Sequence, residues 1–382
     1  MLQFTEPRSL KVPRGARTLT LIDITREAAE LDAFAGHEQI WLGRDIDRGL
    51  TAIVAIHNTA LGPALGGTRI WPHETFAAAL TDALRLSRGM TLKAAVAGVP
   101  FGGGKAVIMA DAKTEKTAEL LEAYADVLVS LEGQFFTGED VGLSLGDADF
   151  LRRRATNVTG TTAGGSGNPS PVTAHGVFLG LQAALRHQRG TAELDGIRVA
   201  VQGLGSVGLA LAAELHRRGA RLTVADIDAA RLEQARARFD AACVGPEEIL
   251  AADVDIFAPC ALGGVLSGDT IPALKASIVA GSANNQLAEE SLADLLRAHG
   301  ILWAPDFVAN AGGIINVATE LDRGGYDPKR ARERVRGIRD TLKEIFDEAD
   351  RTGTTPLTAA MLLARRRLGE TVRAPRTRPA RG

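Results

Sequence analysis

The chain has 382 residues, of which 45% are hydrophobic and 24% are charged, and its formal net charge is −2. A single hydrophobic core rarely organises a chain of this length, so two domains are expected. The nearly balanced charge excludes a strong overall preference for nucleic acid or for an anionic membrane surface.

The sequence has two cysteines, Cys243 and Cys260. Neither has a cysteine or histidine at metal-ligand spacing, so we expect no metal site and no disulfide framework. This cysteine usage, with a first segment that lacks a signal-peptide pattern, predicts a cytoplasmic protein. No apolar run is long enough to predict a membrane span.

The first half of the chain predicts an α/β domain over residues 1–165. The segment before Thr51 is weakly patterned, and TAIVAIHNT (Thr51–Thr59) then predicts a buried strand. FAAALTDALRLSRGMTLKAA has apolar residues at helical spacing, and KAVIMA (Lys105–Ala110) predicts another strand. A second amphipathic helix is predicted over Thr117–Leu131, before FFTGEDVG, where a strand turns into a loop.

The second half predicts a separate domain over residues 166–327. GTTAGGSGNPSP (Gly160–Pro171) is the strongest loop signal and marks the boundary. Beyond it, strands such as IRVAVQG, RLTVADI and VDIFAPCA alternate with helical segments. This alternation predicts a parallel, doubly wound sheet.

The C-terminal part predicts a charged helix over Lys329–Arg351 and then a short last helix. Residues 371–382 are rich in arginine and proline and predict a disordered tail. A nucleic-acid arm is the alternative. It is disfavoured because the tail has no interleaved aromatic residues and the chain has no second basic patch, so no nucleic-acid partner is expected.

The stretch IRVAVQGLGSVGLALAAEL has the pattern G-x-G-x-x-G at Gly203, Gly205 and Gly208. The pattern alone is weak, but here it follows a strand, opens a helix and precedes a strand that ends at Asp226. The glycines would allow a tight turn, a close approach of pyrophosphate and close packing of the helix. Free N–H groups at the helix start suit the anion, so a dinucleotide site is predicted.

Asp226 lies 18 residues beyond Gly208, close to the expected position of the ribose-binding acid. A carboxylate there accepts hydrogen bonds from ribose hydroxyls and repels a 2′-phosphate, which favours NAD over NADP as the cofactor. The predicted contacts at this loop also include Ser206 and Val207. The alternative is a glycine-rich turn in a Rossmann-like domain that binds nothing.

GVPFGGGKAVI (Gly98–Ile108) resembles a phosphate loop but fails its pattern. The first glycine of G-x-x-x-x-G-K-[ST] is replaced by Val99, and Ala106 stands where a hydroxyl should hold magnesium. A strand follows, whereas a phosphate loop opens a helix. The three glycines are therefore predicted to leave room for a substrate beside Lys105.

Two lysines and an acid in this half are candidates for acid–base chemistry. A lysine at the start of a buried strand loses its proton more readily, which suits Lys105 as a general base. Lys93 lies at the end of the preceding helix, and Asp140 lies in GEDVG at a strand–loop junction. For each lysine, the alternative is a solvated surface residue.

Seven segments occur in an order that resembles the amino acid dehydrogenase family, which includes glutamate, leucine, valine and phenylalanine dehydrogenases. They are GPALGGTRIW, RLSRGMTLKAAVAGVPFGGGKAVI, TGEDVG, GNPSPVTAHGV, APCALGG, GSANNQLA and APDFVANAGGIINVATEL. The resemblance looks closest to the leucine, valine and phenylalanine branch. It implies NAD(P)-dependent, reversible oxidative deamination of an L-amino acid to a 2-oxo acid and ammonia.

The resemblance also implies a role for each matching residue. Lys93 resembles the lysine that binds the substrate carboxylate, Lys105 the lysine that activates water, and Asp140 the acid that shuttles the proton of the amino group. Further implied contacts to substrate or cofactor are Gly67, Asn285, Thr173 and Ala261. The family fold implies that helices 328–370 return to the first domain and that this domain forms a homo-oligomer.

The resemblance bears on the substrate as well. Leu65 occupies the position where glutamate enzymes have a lysine for the side-chain carboxylate, so an apolar substrate is expected. The implied pocket also contains Gly138, Ile314 and Val317. Gly138 adds room and Ile314 removes some, which leaves branched and aromatic amino acids open.

Two other functions are compatible with a dinucleotide fold. A 2-hydroxy acid dehydrogenase would need a histidine base beside a carboxylate, and the sequence predicts no such setting for any of the seven histidines. A silent NAD-binding protein would be expected to have lost Lys93, Lys105 or Asp140.

Overall fold

Two sheets with flanking helices organise the chain in the computed structural model, which describes residues 10 and 18–369. The strands are β1 (Thr20–Asp23), β2 (Gln39–Asp45), β3 (Leu50–Asn58), β4 (Ala64–Leu65), β5 (Thr68–Ile70), β6 (Gly102–Ile108), β7 (Phe135–Phe136), β8 (Arg198–Gln202), β9 (Arg221–Ala225), β10 (Ala242–Cys243), β11 (Ile256–Pro259), β12 (Ile278–Val279) and β13 (Leu302–Trp303). The helices are α1 (Thr25–Ala28), α2 (Phe76–Ala97), α3 (Ala118–Ser130), α4 (Leu145–Arg152), α5 (Ser170–Arg189), α6 (Ser206–His216), α7 (Ala229–Phe239), α8 (Leu292–Ala298), α9 (Asp306–Ala309), α10 (Gly312–Ala318), α11 (Pro328–Val335), α12 (Gly337–Thr352) and α13 (Pro356–Arg367). None of the helices in this part of the chain combines the length and apolar character that a membrane crossing requires.

The first sheet has the strand order β1-β2-β3-β6-β4-β7, and β5 also pairs with β6. The strands β1, β2, β3 and β6 are antiparallel neighbours, whereas β4 and β5 run parallel to β6. Its first two strands come from the segment where the sequence pattern is weak. Apolar residues of β3, such as Ile53 and Val54, are fully buried on both faces of this sheet.

The helix α2 and the strand β6 lie in close contact, and this explains the three glycines before Lys105. Gly102–Gly104 are part of β6, not of a loop. A Cβ at Gly103 would collide with the backbone nitrogen and hydroxyl of Thr91 on α2, and a Cβ at Gly104 would lie 2.8 Å from the ring of Phe135. The prediction that these glycines clear space for a substrate is therefore wrong, because the protein's own atoms fill that space.

The second sheet is fully parallel, with the order β10-β9-β8-β11-β12-β13. Numbered within this half, the order is 3-2-1-4-5-6, which is that of a doubly wound dinucleotide-binding sheet. The predicted α/β fold with a Rossmann-type second half is confirmed. In such sheets a ligand binds beyond the carboxyl ends of the strands where the order reverses, here between β8 and β11.

The last helices pack against both halves of the chain. α12 lies against α5, and α13 lies against α2. The Nη1 of Arg367 donates to the carbonyl oxygens of Ala95 at 3.1 Å and Val96 at 2.6 Å, at the end of α2. The single helix predicted over Lys329–Arg351 is instead two helices, α11 and α12, which meet at Arg336 and Gly337, where glycine weakens the helix.

The predicted domain limits, 1–165 and 166–327, stay a prediction. The predicted tail, residues 371–382, lies outside the described residues, as does Glu370.

Candidate functional site

Lys105 and Asp140 form an ion pair beside the first sheet. Lys105 lies on β6, Asp140 follows β7, and Lys105 Nζ is 2.7 Å from Asp140 Oδ2. Lys105 is only 6% exposed, so the ammonium is removed from bulk water and depends on this carboxylate. The pairing brings together the two residues predicted to do acid–base chemistry.

A second cation holds Asp140 in its ionised form. Burial alone would raise the pKa of Asp140, but the ammonium of Lys105 and the guanidinium of Arg69 outweigh it, and the net pKa lies below its usual value. Arg69 Nε is 3.4 Å from Asp140 Oδ2. Arg69 lies in the GGTR segment, and sequence reasoning gave it no role.

Gly67 lies directly beside this pair. A Cβ at Gly67 would be 2.8 Å from the carbonyl oxygen of Glu139, 3.0 Å from Asp140 Cβ and 3.4 Å from Lys105 Nζ. A side chain would therefore crowd the ion pair. Glycine keeps the backbone close to the charged groups, and the predicted contact of Gly67 with a substrate stays a prediction.

Lys93 lies on the last turns of α2 and faces the second half of the chain. Its Nζ donates to Asn284 Oδ1 at 3.4 Å. Burial lowers the pKa of Lys93 to about 8; Asp306 acts against this shift, and Lys105 adds to it. We call Lys93, Lys105, Asp140 and Arg69 the charged cluster.

The asparagine that reaches the charged cluster is Asn284, not the predicted Asn285. Asn284 Oδ1 accepts hydrogen bonds from Lys93 and from Asn310 Nδ2, the latter at 2.8 Å. Asn285 adopts the left-handed region at φ 52°, and its carbonyl oxygen accepts from Gly264 N at 2.7 Å. Two consecutive asparagines are indistinguishable by type, so only the backbone conformation identifies the one that faces Lys93.

Asp306 is a further charged residue that sequence reasoning missed. Its carboxylate is 7% exposed and accepts from Gln286 N at 2.8 Å and Phe307 N at 2.7 Å. Burial raises its pKa, although these hydrogen bonds and Lys93 act in the opposite direction. The signal was available in APDFVANAGG, because an acid and Asn310 four residues apart lie on one side of a helical turn.

The dinucleotide loop (Gly203–Gly208) has the geometry that its motif predicts. Gly203 adopts φ 93°, and a Cβ there would lie 2.8 Å from the Cβ of Ala261. A Cβ at Gly208 would collide with the carbonyl oxygen of Gly203, whereas a Cβ at Gly205 would meet no protein atom within 4 Å. The first and third glycines thus serve packing, and the second borders open space at the start of α6, where Ser206 and Val207 begin the helix.

Asp226 follows β9 and lies beside this loop. Its Oδ2 accepts from Leu204 N at 2.6 Å and its Oδ1 from Asp228 N at 2.9 Å. Arg231 Nη1 lies 3.8 Å from Oδ2. The carboxylate is therefore fixed by backbone amides at the position where a Rossmann domain holds its ribose-binding acid, and the residues present fit a dinucleotide.

The predicted substrate pocket is only partly assembled by the structure. Leu65 and Ile314 are 2% and 8% exposed and belong to one apolar cluster, against which Val317 packs. A Cβ at Gly138 would lie 3.1 Å from the carbonyl oxygen of Thr159, so part of the room that this glycine provides is bounded by Thr159. Thr173 lies at the contact of α5 with α10, since its Oγ1 is 3.0 Å from a Cβ built at Gly313.

Known families account for most of the chain. The Glu/Leu/Phe/Val dehydrogenase dimerisation domain matches residues 39–156, and the Glutamate/Leucine/Phenylalanine/Valine dehydrogenase domain matches residues 164–235 and 225–375. The chain therefore belongs to the Glu/Leu/Phe/Val dehydrogenase family and is an amino acid dehydrogenase, an oxidoreductase that acts on CH–NH2 groups.

Three relatives illustrate the similarity. L-tryptophan dehydrogenase of Nostoc punctiforme is 48% identical over 88% of this chain and 95% of its own length. Leucine dehydrogenase of Bacillus subtilis is 46% identical over 87% of this chain and 91% of its own. Phenylalanine dehydrogenase of Caldalkalibacillus thermarum is 42% identical over 90% and 94%, respectively.

Solved structures have the same fold. The crystal structure of L-tryptophan dehydrogenase from Nostoc punctiforme has a TM-score of 0.78, with 47% identity over 90% of this chain and 97% of that one. A hetero-hexameric glutamate dehydrogenase from Thermus thermophilus, in its leucine-bound form, has a TM-score of 0.70 and 26% identity over 94% and 91%.

Proposed function

We propose that this enzyme catalyses the NAD-dependent, reversible oxidative deamination of an apolar L-amino acid to a 2-oxo acid and ammonia. The observation that carries the proposal is the charged cluster, in which a buried lysine–aspartate pair lies close to a second lysine of low pKa. The cluster faces Asn284 of the dinucleotide-binding half. Relatives that act on tryptophan, leucine and phenylalanine support the apolar class of substrate.

Each residue of the charged cluster has a proposed task. Lys93 binds the substrate carboxylate, assisted by Asn284, and so fixes the direction of the Cα–H bond. Asp140 accepts and returns the proton of the amino group. Lys105 removes a proton from the water that attacks the imine carbon. NAD bound at the dinucleotide loop supplies the hydride acceptor.

The residues proposed for these tasks come from both halves of the chain. Lys93 and Lys105 come from α2 and β6, whereas Asn284 and Asp306 follow strands of the second sheet. A contact between Lys93 and Asn284 therefore joins the two halves directly over the reacting groups. Closure at this point would exclude bulk water from the imine.

NAD is proposed rather than NADP because Asp226 places a carboxylate at the ribose position. Backbone amides of Leu204 and Asp228 hold that carboxylate, so it cannot easily turn away from a 2′-phosphate. Arg231, whose Nη1 is 3.8 Å from Asp226 Oδ2, is a nearby cation that could favour NADP. Initial rates with each cofactor test the choice: a higher kcat/KM for NADP would contradict it.

The apolar specificity is proposed from Leu65 and Ile314. Both are buried among apolar side chains, so a substrate carboxylate placed there would lose its hydration without gaining a partner. The test is a panel of L-amino acids with NAD, followed by NADH absorbance. Turnover of leucine, phenylalanine or tryptophan but not of glutamate supports the proposal, and turnover of glutamate alone would refute it.

The assembly and the location are proposed from the family match and from the cysteines. Residues 39–156 match a dimerisation domain, which supports a homo-oligomer formed through the first half of the chain. Size-exclusion chromatography with light scattering tests this, since a monomer would contradict it. The free thiols of Cys243 and Cys260 support a cytoplasmic location.

A further inference from the structure

Arg69 connects the charged cluster to a second acid on α2. It lies on β5, and its side chain is 25% exposed. One side of the guanidinium faces Asp140, with Nε 3.4 Å from Oδ2. The other side is held by Asp82, whose Oδ2 and Oδ1 accept from Nη1 at 3.0 Å and 3.2 Å.

Asp82 is itself fixed in place. It lies on α2, and its Oδ2 is 3.3 Å from His73 Nε2. The helix that carries Asp82, the anchor of Arg69, also carries Lys93, 11 residues later, so this anchor and Lys93 lie on one rigid element. At 3.6 residues per turn, 11 residues place Asp82 and Lys93 on nearly the same face of the helix.

The chemistry of the proposed reaction explains why a guanidinium is useful there. Lys105 must be neutral when it takes a proton from water, and Asp140 then loses the charge of its nearest partner. An arginine side chain keeps its charge throughout, because its guanidinium does not deprotonate in proteins. Arg69 is therefore a cation beside Asp140 whose charge stays the same while protons move during the reaction.

We propose that Arg69 is a positioning residue of the reaction: anchored by Asp82, it holds the Asp140 carboxylate toward Lys105 and supplies a permanent counter-charge. The proposal rests on the proposed function of the same site. Arg69 has no proposed contact with the substrate, and it acts through Asp140.

Four charged groups face Asp140, and they set the sign of the test. They are Lys105 on β6, Arg69 on β5, Lys93 on α2 and the adjacent Glu139. Deamination requires this coupled set to lose a proton, so its rate rises with pH. Removal of one cation makes that proton harder to lose. The rising limb of the plot of kcat/KM against pH must therefore move to higher pH.

The test compares Arg69→Met with Arg69→Lys in the full-length enzyme, using the best substrate of the amino acid panel. In Arg69→Met we expect the rising limb of kcat/KM to move up by about one pH unit. We also expect kcat to fall about 10- to 100-fold while the KM for NAD is unchanged. Arg69→Lys should restore the limb but only part of kcat, because an ammonium cannot bridge two carboxylates as a fork does.

A matched control is Arg85→Gln, because Arg85 lies on the same helix as Asp82 and lines the same surface groove as Arg69. It removes the same charge from a side chain that is not among the charged groups facing Asp140, so its pH profile should match the wild type. An equal shift in Arg85→Gln, or an unchanged profile in Arg69→Met, would overturn the proposal. Absence of turnover in the wild type would instead refute the proposed function.

Thermal melting and NADH binding would show whether Arg69→Met folds. If it does not fold, a second variant, Asp82→Asn, tests the proposal instead. Asp82→Asn retains the charge of Arg69 and removes its anchor. We expect a lower kcat. The pH at which kcat/KM rises should stay the same or decrease, whereas in Arg69→Met it should increase. A wild-type kcat in Asp82→Asn would show that the anchor has no role.

Discussion

The dinucleotide loop and the charged cluster are built from very different lengths of chain. The loop, its helix and Asp226 come from one β-α-β unit, whereas the charged cluster joins β5, β6, the segment after β7 and α2, and it meets Asn284 from the other half. The dinucleotide loop is therefore formed by residues close in sequence, whereas the charged cluster is formed by residues far apart in sequence. Changes in the first should alter cofactor binding, and changes in the second should alter turnover.

Lys105→Ala is expected to have the largest effect and tests whether turnover and cofactor binding depend on separate sites. The loss of a buried general base should lower kcat by about 10²- to 10⁴-fold, while NADH affinity stays within about twofold of the wild type. NADH fluorescence titration and steady-state kinetics measure the two effects. Lys113→Ala, at an exposed lysine of the same half, is the matched control and should leave both unchanged. A parallel loss of NADH binding in Lys105→Ala would mean that the two sites are not separate.

The complementary change is made in the dinucleotide loop. In Gly208→Ala the new Cβ collides with the carbonyl oxygen of Gly203, so we expect weaker NADH binding and a loss of about 1–3 kcal/mol in the free energy of unfolding. Gly205→Ala separates packing from binding, since its Cβ meets no protein atom within 4 Å. That variant should bind NADH more weakly at unchanged stability. Normal NADH binding in Gly205→Ala would contradict the proposed approach of the pyrophosphate.

The contact between the two sites is tested by the pair of asparagines. Asn284→Ala removes the acceptor of Lys93, and we expect a rise of about 10-fold or more in the KM of the amino acid. Asn285→Gly is the matched variant, because glycine tolerates its φ of 52°. It should leave the KM of the amino acid near the wild-type value. The reverse ranking would restore Asn285 as the residue at the substrate.

The same contrast explains how far the sequence could predict the molecule. The motif around Gly203–Gly208 predicts a strand, a turn and a helix because each glycine acts on atoms a few residues away. The segment before Thr51 has no clear pattern, yet it supplies β1 and β2, because β2 pairs with β3 and β1 pairs with β2. The glycines before Lys105 were misinterpreted because their neighbours, Thr91 and Phe135, are distant in sequence.

The charged cluster shows the same limit for side chains. The family resemblance implies roles for Lys93, Lys105 and Asp140, but no pattern indicates that Arg69 lies beside Asp140. The spacing of Asp306 and Asn310 places both on one side of a helical turn, but it does not show that Asp306 acts on Lys93. Charge partners of this kind depend on how strands and helices from separate segments meet. Residue types are therefore predictable here, whereas the pKa of Lys93 depends on burial that only the folded chain provides.

Lys93 provides the smallest and most specific effect. Burial lowers its pKa to about 8, so between about pH 7 and pH 9 it changes from mostly ammonium to mostly neutral amine. A 2-oxo acid remains an anion over this range, and only the ammonium attracts it. The affinity of the enzyme–NADH complex for the 2-oxo acid should therefore fall severalfold as pH rises through that window, as measured by NADH fluorescence. Lys93→Arg keeps its charge and should bind more weakly but with little pH dependence. If Lys93→Arg shows the wild-type pH dependence, another member of the cluster is the titrating group, and the carboxylate anchor must be sought there.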